Sequence, residues 1–162
     1  MTLADEGNLT KSFEGLRVLD FSTTIAGPHC TRMLADLGAE VIKIETAEGE
    51  TMRTRPPVRN QCSTAFGQLN IGKNSLVLDL KSAGGIEVIR RLSASTDVLV
   101  EHFRPGVMDR LGLGYETLAA INEQLLQYPA DFVPHPRLAK QLERRRDALG
   151  GSGGIDWGHA EA

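Results

Sequence analysis

"LRVLDFSTTIAGPHCTRMLADLGAEVIKIE", Leu16 to Glu45, decides the fold. It opens on a short run rich in Val, Leu and Phe, the signature of a buried strand. An uncharged Ser22-Thr23-Thr24 turn and an Ala26-Gly27-Pro28 step follow. Proline suits the first turn of a helix, where its missing N–H leaves nothing unsatisfied. Cys30, Met33, Leu34 and Leu37 then recur at helical spacing, and Gly38 closes the helix. "AEVIKIE" reads as a second strand. Two strands joined by a helix of this length form a βαβ unit with a right-handed crossover and parallel pairing.

The pattern repeats downstream. "SLVLDL" (75–80) predicts a strand, "AGGIEVIRRLSAS" a helix with Ile86, Ile89 and Leu92 on one face, and "DVLVEHF" (97–103) a strand. A short helix is expected from Pro105, a break at Gly112 and Gly114, and another helical turn to Asn122. Strands alternating with helices define an α/β fold. The expectation is an incomplete Rossmann-like, mainly parallel sheet with flanking helices, followed by an irregular and helical tail. Residues 46–74 show no strong period and are punctuated by Gly and Pro among Arg53, Arg55, Arg59 and Lys73. Long connections of this kind are functional or disordered. Beyond Asn122, only Leu125 and Leu126 precede the breaks at Pro129, Pro134 and Pro136. A basic helix is expected over 136–149, then a "GGSGG" spacer. The organisation expected is a lead-in over 1–12, an α/β domain over 13–122 and an unrelated tail over 123–162.

Composition narrows the function. In 162 residues, 41% hydrophobic and 24% charged content are ordinary for a soluble domain, and a net charge of −3 gives no reason to expect nucleic acid or an anionic membrane as partner. Aromatics at 5% argue against base-stacking surfaces. No segment is apolar enough to span a bilayer, and the polar N-terminus does not read as a signal peptide. Cys30 and Cys62 form neither a disulfide framework nor a CxxC motif, so both are expected as reduced thiols in a cytoplasmic protein.

The corner Ser22–Pro28 lies between a parallel strand's carboxyl end and a helix N-terminus. Open α/β sheets bind ligands there, on free N–H groups at the positive end of a helix dipole. The competing reading is an ordinary connecting turn, since the glycines of a dinucleotide loop are missing; "LGLGY" and "GGSGG" also fail as GxGxxG. The four histidines, at 29, 102, 135 and 159, have no metal-ligand spacing, and no metal is expected. No Ser-His-Asp grouping can be assembled. His102 ends a strand, where it can donate to a ligand or serve the strand end alone. The basic helix is a phosphate patch or, more simply, a solvated face.

Three stretches, "EGLRVLDFSTTIAGPHCTRMLADLGAEVIKIE", "FGQLNIGKNSLVLDLKSAGGIEVIRRL" and "DVLVEHFRPGVMDRLGLGYETLAAIN", resemble in order and separation the N-terminal part of family III CoA-transferases. The resemblance implies that the corner holds coenzyme A through backbone groups and apolar walls. It places Ile25 and Ala26 along the nucleotide or pantetheine, and Leu78, Asp79, Leu80 and Lys81 at the adenine and phosphate region. His102, Phe103 and Arg104 fall on another CoA-contacting segment, and Arg110 on phosphate. Arginine's fork of donors suits phosphate on chemical grounds as well. Thr46 stands where some members carry a cation, and His102 where most carry Asn.

The implied chemistry moves CoA from an acyl thioester to a carboxylate. An aspartate attacks the thioester, which divides one hard transfer into easier steps; racemase members instead exchange an α-proton between aspartate and histidine. In the family, Pro, an apolar strand and a glycine-rich turn precede that aspartate. None of these is expected after "LAAIN" here, and Asp131 lies in an unrelated context, so no catalytic residue is assigned. The chain is expected to be cut before the nucleophile, inactive alone, and able to pair as a homodimer or with a full-length relative. A non-catalytic remnant is the alternative. The tail from "LLQYPADF" to "IDWGHAEA" resembles a segment of the thiamine-dependent 2-oxoglutarate dehydrogenase E1 component, which ranks last as a functional reading.

Overall fold

A computed structural model of the chain describes residues 11–60 and 62–129. The expected lead-in (apart from Lys11 and Ser12), the basic helix, Asp131 and the part of the E1-like stretch beyond Pro129 lie outside the described residues, whereas its first residues, from Leu125, lie within them. Five strands form one sheet: β1 (Arg17–Asp20), β2 (Glu40–Glu45), β5 (Asn74–Val77), β6 (Val98–Glu101) and β7 (Leu126–Pro129). Their order is β5-β2-β1-β6-β7, and every neighbouring pair is parallel. In chain order this is 3-2-1-4-5, the arrangement of a doubly wound α/β sheet, with its switch point between β1 and β6.

Helices cover both faces. α1 (Ala26–Asp36) joins β1 to β2, and α3 (Ala83–Ser93) joins β5 to β6. The short α4 (Val107–Arg110) and α5 (Tyr115–Ile121) join β6 to β7. Strand alternation divides the core in two. Leu19, Phe21, Ile44 and Leu99 pack with Ile89, Met108 and Leu118 from the helices that follow β5 and β6, and with Leu113 between α4 and α5. Val18, Val41 and Val100 pack on the other side with Leu34 and Ala35 of α1.

Two expectations need correction. The strand expected over 75–80 is Asn74–Val77, and Leu78–Lys81 turns away from it. Ser82 ends that turn: its hydroxyl accepts from the Gly85 amide at 3.0 Å and caps α3. The larger correction is β7. Pro129 was expected to break up this stretch, yet Leu126–Pro129 pairs in register with Val98–Glu101. Proline is tolerated because β7 lies at the sheet edge and Pro129 at the strand's end, where a missing donor is least costly. Leu125, just before it, is buried in the larger cluster.

Residues 46–74 are also more ordered than a bare loop. They contain a 3-10 helix (Thr51–Thr54), a two-stranded antiparallel ribbon of β3 (Val58–Arg59) and β4 (Cys62–Ser63), and α2 (Thr64–Asn70). Ser63 caps α2 by accepting from the Phe66 amide.

One glycine fixes how α1 meets the sheet. A Cβ on Gly27 would run into Cβ and Oγ of buried Ser22. Gly27→Ala is therefore expected to destabilise the chain by about 1–3 kcal/mol. Gly67→Ala, in α2 with open space around it, is expected to stabilise by up to about 1 kcal/mol. Denaturant unfolding of both variants checks the contrast; equal effects would contradict the packing described.

Candidate functional site at the switch point

The carboxyl edge of the sheet carries a cleft of about 450 Å³, counting its open mouth. Its walls come from three strand ends and the turn after β5: Phe21 and Thr23 beyond β1, Ile44 to Thr46 at β2, Leu80, and Phe103 beyond β6. Phe21 and Phe103 meet edge to face, with ring centroids 6.4 Å apart. Across the switch point, Thr23 Oγ1 lies 3.0 Å from His102 Nε2. The other ring nitrogen of His102, Nδ1, is buried without a hydrogen-bond partner among the described residues. α1 starts at Ala26, three residues past the cleft-lining Thr23, and its N-cap residue Ile25 provides no side-chain cap. The first-turn N–H groups and the positive end of the helix dipole are thus not occupied by a capping side chain.

Of the residues assigned by resemblance, Leu80 and Phe103 line the cleft. Ile25 and Ala26 are exposed at the start of α1, Ile25 by 57%. Leu78 packs against the larger core cluster. Asp79 accepts from the Lys81 amide at 2.8 Å and holds the turn, leaving the Lys81 side chain exposed. His102 adjoins Thr23, while Arg104 and Arg110 are exposed before and at the end of α4. Thr46 also borders the cleft.

What sequence reasoning missed lies beneath the corner. Asp20 and Lys43 are register partners on β1 and β2, on the face toward α1, and both side chains are buried. Asp20 accepts from the Ser22 amide at 2.9 Å, from the Ser22 hydroxyl, from Thr31 Oγ1 at 2.6 Å and from Lys73 Nζ at 3.0 Å. Lys73 spends its remaining donors on the Pro28 carbonyl and Asn70 Oδ1, both at 2.8 Å. Lys43 donates to the Ser22 carbonyl at 2.7 Å and forms an ion pair with Glu50 at 2.8 Å. The other oxygen of Glu50 accepts from the Thr24 amide at 2.7 Å.

The network continues outward through Glu45. Its carboxylate takes a two-point grip from Arg53, at 2.7 and 2.6 Å, and a bond from Ser75 Oγ at 2.7 Å. Arg53 also lies over the Phe66 ring, 4.0 Å from its centroid. Three carboxylates (Asp20, Glu45, Glu50) thus face three cations (Lys43, Lys73, Arg53). Such groups enter a protein interior only when paired and hydrogen-bonded. A signal was present: Asp20, Lys43 and Glu45 interrupt strands that are covered on both faces, where charge is rare.

The proton equilibria follow. Burial pushes the Asp20 carboxyl up, but Lys43, Lys73 and the Ser22 and Thr31 hydroxyls outweigh it and hold the group below the usual range. Burial lowers the Lys73 ammonium against the opposing pull of Asp20. The Arg53 bonds hold the Glu45 carboxyl at about 2, down from 4.5.

Among the described residues no group of His, Cys, Asp and Glu is placed to hold a metal, and no helix is long and apolar enough to cross a membrane.

A parallel sheet in doubly wound order with a cleft at its carboxyl edge defines an α/β domain of the kind that binds ligands there. Residues 13–129 match the model of CoA-transferase family III, and the chain belongs to that family. It is 46% identical over 115 residues to the acetyl-CoA:oxalate CoA-transferase of Acetobacter aceti, covering 70% of this chain and 30% of that enzyme. It is 40% identical over 118 residues to the succinyl-CoA:glutarate CoA-transferase of Mus musculus, covering 72% and 27%. Among solved structures, a mutant of Rv3272 from Mycobacterium tuberculosis superposes with a TM-score of 0.68 at 42% identity, over 73% of this chain and 32% of that one. A CAIB/BAIF family protein from Brucella suis gives 0.69 at 39% identity, over 73% and 32%. The chain spans about 30% of the length of these relatives.

The Glu45 shift has a defined sign. A carboxyl with a lowered folded pKa contributes stability that is complete above its unfolded value and is lost as pH falls through the folded one. Stability is therefore expected to drop between pH 4.5 and about 2, with Asp20 adding to the loss in the same direction. Glu45→Gln should flatten part of that dependence in acid-titrated thermal unfolding. An unchanged slope would contradict the Arg53 grip.

Proposed function

We propose that this chain supplies the coenzyme A-holding segment of a family III CoA-transferase, an enzyme that moves CoA between an acyl thioester and a free carboxylate. The observation that carries this reading is the cleft at the carboxyl edge of the sheet, walled by Phe21 and Thr23 beyond β1, Leu80 after β5 and Phe103 beyond β6. Its apolar walls, Phe21, Leu80 and Phe103, suit the adenine ring or pantetheine arm. Ile25, Ala26 and the turn Leu78–Lys81 would bracket the nucleotide. His102, through its turn with Phe103, would meet the carrier from the other side of the switch point. Exposed Arg104 and Arg110 would take phosphate, for which a guanidinium fork is well shaped. Relatives are named for oxalate and glutarate, so a small carboxylate is the proposed acceptor.

The chemical step needs a carboxylate nucleophile. Asp20 is the carboxylate closest to the corner in sequence, but it is wholly buried and saturated by donors, which stabilise its charge and block its approach to a thioester. In this reading the nucleophile lies outside residues 13–129, and the segment binds the carrier without turning it over. A second reading, association with another chain of the family, is favoured by the exposed apolar side chains Ile71 and Val77 near the β5 edge, at 60% and 57%.

Isothermal titration of the chain with CoA, paired with a transferase assay on acetyl-CoA and oxalate, tests the first reading. Weak saturable binding without turnover is expected. Absence of binding would overturn the carrier role, and turnover above background would overturn the non-catalytic part. Light scattering after size exclusion, alone and with a longer relative, tests the second; a monomer that ignores the relative contradicts it.

A further inference from the structure

The corner after β1 holds an unusual backbone shape. Thr24 sits at φ 73°, in the left-handed region, where a β-branched residue is a genuine outlier. Such a conformation is costly and persists only when its surroundings over-determine it. Here the surroundings are the buried ion pair. Lys43 holds the Ser22 carbonyl, Glu50 holds the Thr24 amide, and the two side chains hold each other. Asp20 secures the Ser22 amide on the same turn. Glu50 reaches the corner from five residues beyond β2, where its own amide donates to Glu45.

We propose that Glu50 is a positioning residue, which fixes the Ser22–Ile25 corner in its ligand-accepting shape through the Thr24 amide. The proposal rests on the carrier-binding reading of the cleft and extends it to a residue that forms part of the cleft floor but acts through the backbone. Lys43 serves as its counter-charge. Without Glu50, the Thr24 amide loses its partner and the turn relaxes toward negative φ. Thr23 Oγ1 then loses its place beside His102, and Ile25 and Ala26 shift at the start of α1. Side chains pressing from below thus replace the glycines that let other phosphate-binding loops adopt positive φ.

Two charge-neutral double variants separate positioning from mere stability. K43M/E50Q and K43M/E50L both remove the buried ion pair, and both remove the Lys43 bond to Ser22. Only the glutamine variant keeps an acceptor for the Thr24 amide. With circular dichroism confirming both folds, K43M/E50L is expected to bind CoA about tenfold more weakly than K43M/E50Q, the cost of one buried donor left unpaired. The Thr24 amide should exchange slowly with solvent in the wild-type chain and in K43M/E50Q, and at loop rates in K43M/E50L. Equal affinities, or equal Thr24 exchange in the two variants, would overturn the proposal. If the wild-type chain fails to bind CoA, the carrier reading fails and Thr24 exchange decides the positioning claim by itself. If K43M/E50L does not fold, wild-type exchange decides: strong protection at Thr24 supports the role, and loop-like exchange overturns it.

Discussion

The Lys43–Glu50 ion pair is the constraint on which this carboxyl edge depends. A parallel sheet covered on both faces leaves little room for charge, yet this one buries three carboxylates and two lysines beneath a single corner. Breaking such a pair by removing one member costs about 3–5 kcal/mol, because the other member is left charged and dry. Beyond that pairing, Lys43 bonds the Ser22 carbonyl, Glu50 the Thr24 amide and Asp20 the Ser22 amide. The energetics of burial and the geometry of the corner are therefore one arrangement.

That arrangement explains how a strand-to-helix corner without a glycine-rich loop holds a left-handed Thr24 just before a helix start. Gly27 lets α1 approach Ser22 closely, Asp20 and Lys43 fix the turn from below, and Glu50 holds its outer limb. The connection after β2 carries Glu50 and Arg53, so it serves as the clamp on the corner rather than as a spacer. Lys73, at the far end of that connection, returns to the same Asp20 and to the first turn of α1. The resulting cleft is apolar on its walls and charged only underneath.

The sequence disclosed the fold through period and punctuation. Buried strands bounded by helical repeats announced the parallel sheet, and the Pro28 and Gly38 positions bracketed α1 closely. β7 escaped because a four-residue edge strand ending in proline looks like a break; its pairing is supplied by Val98–Glu101, which no local pattern reveals. The site was half legible. Its place followed from the strand-helix corner, and the walls Leu80 and Phe103 followed from family resemblance. The charge network did not, because Glu50 and Lys73 lie in a stretch without period and meet Asp20 and Lys43 only through sheet register. The one local hint was charge inside otherwise apolar strands.

The central claim is that a carrier rests on a corner shaped from beneath by paired charges. A crystal structure of the chain with CoA bound addresses it most directly. The account places the carrier along the carboxyl edge between β1 and β6, over Thr23–Ala26, with Leu80 and Phe103 beside it and Thr24 still left-handed. A carrier bound on another surface, or a corner rebuilt with its amide turned away from Glu50, would contradict it.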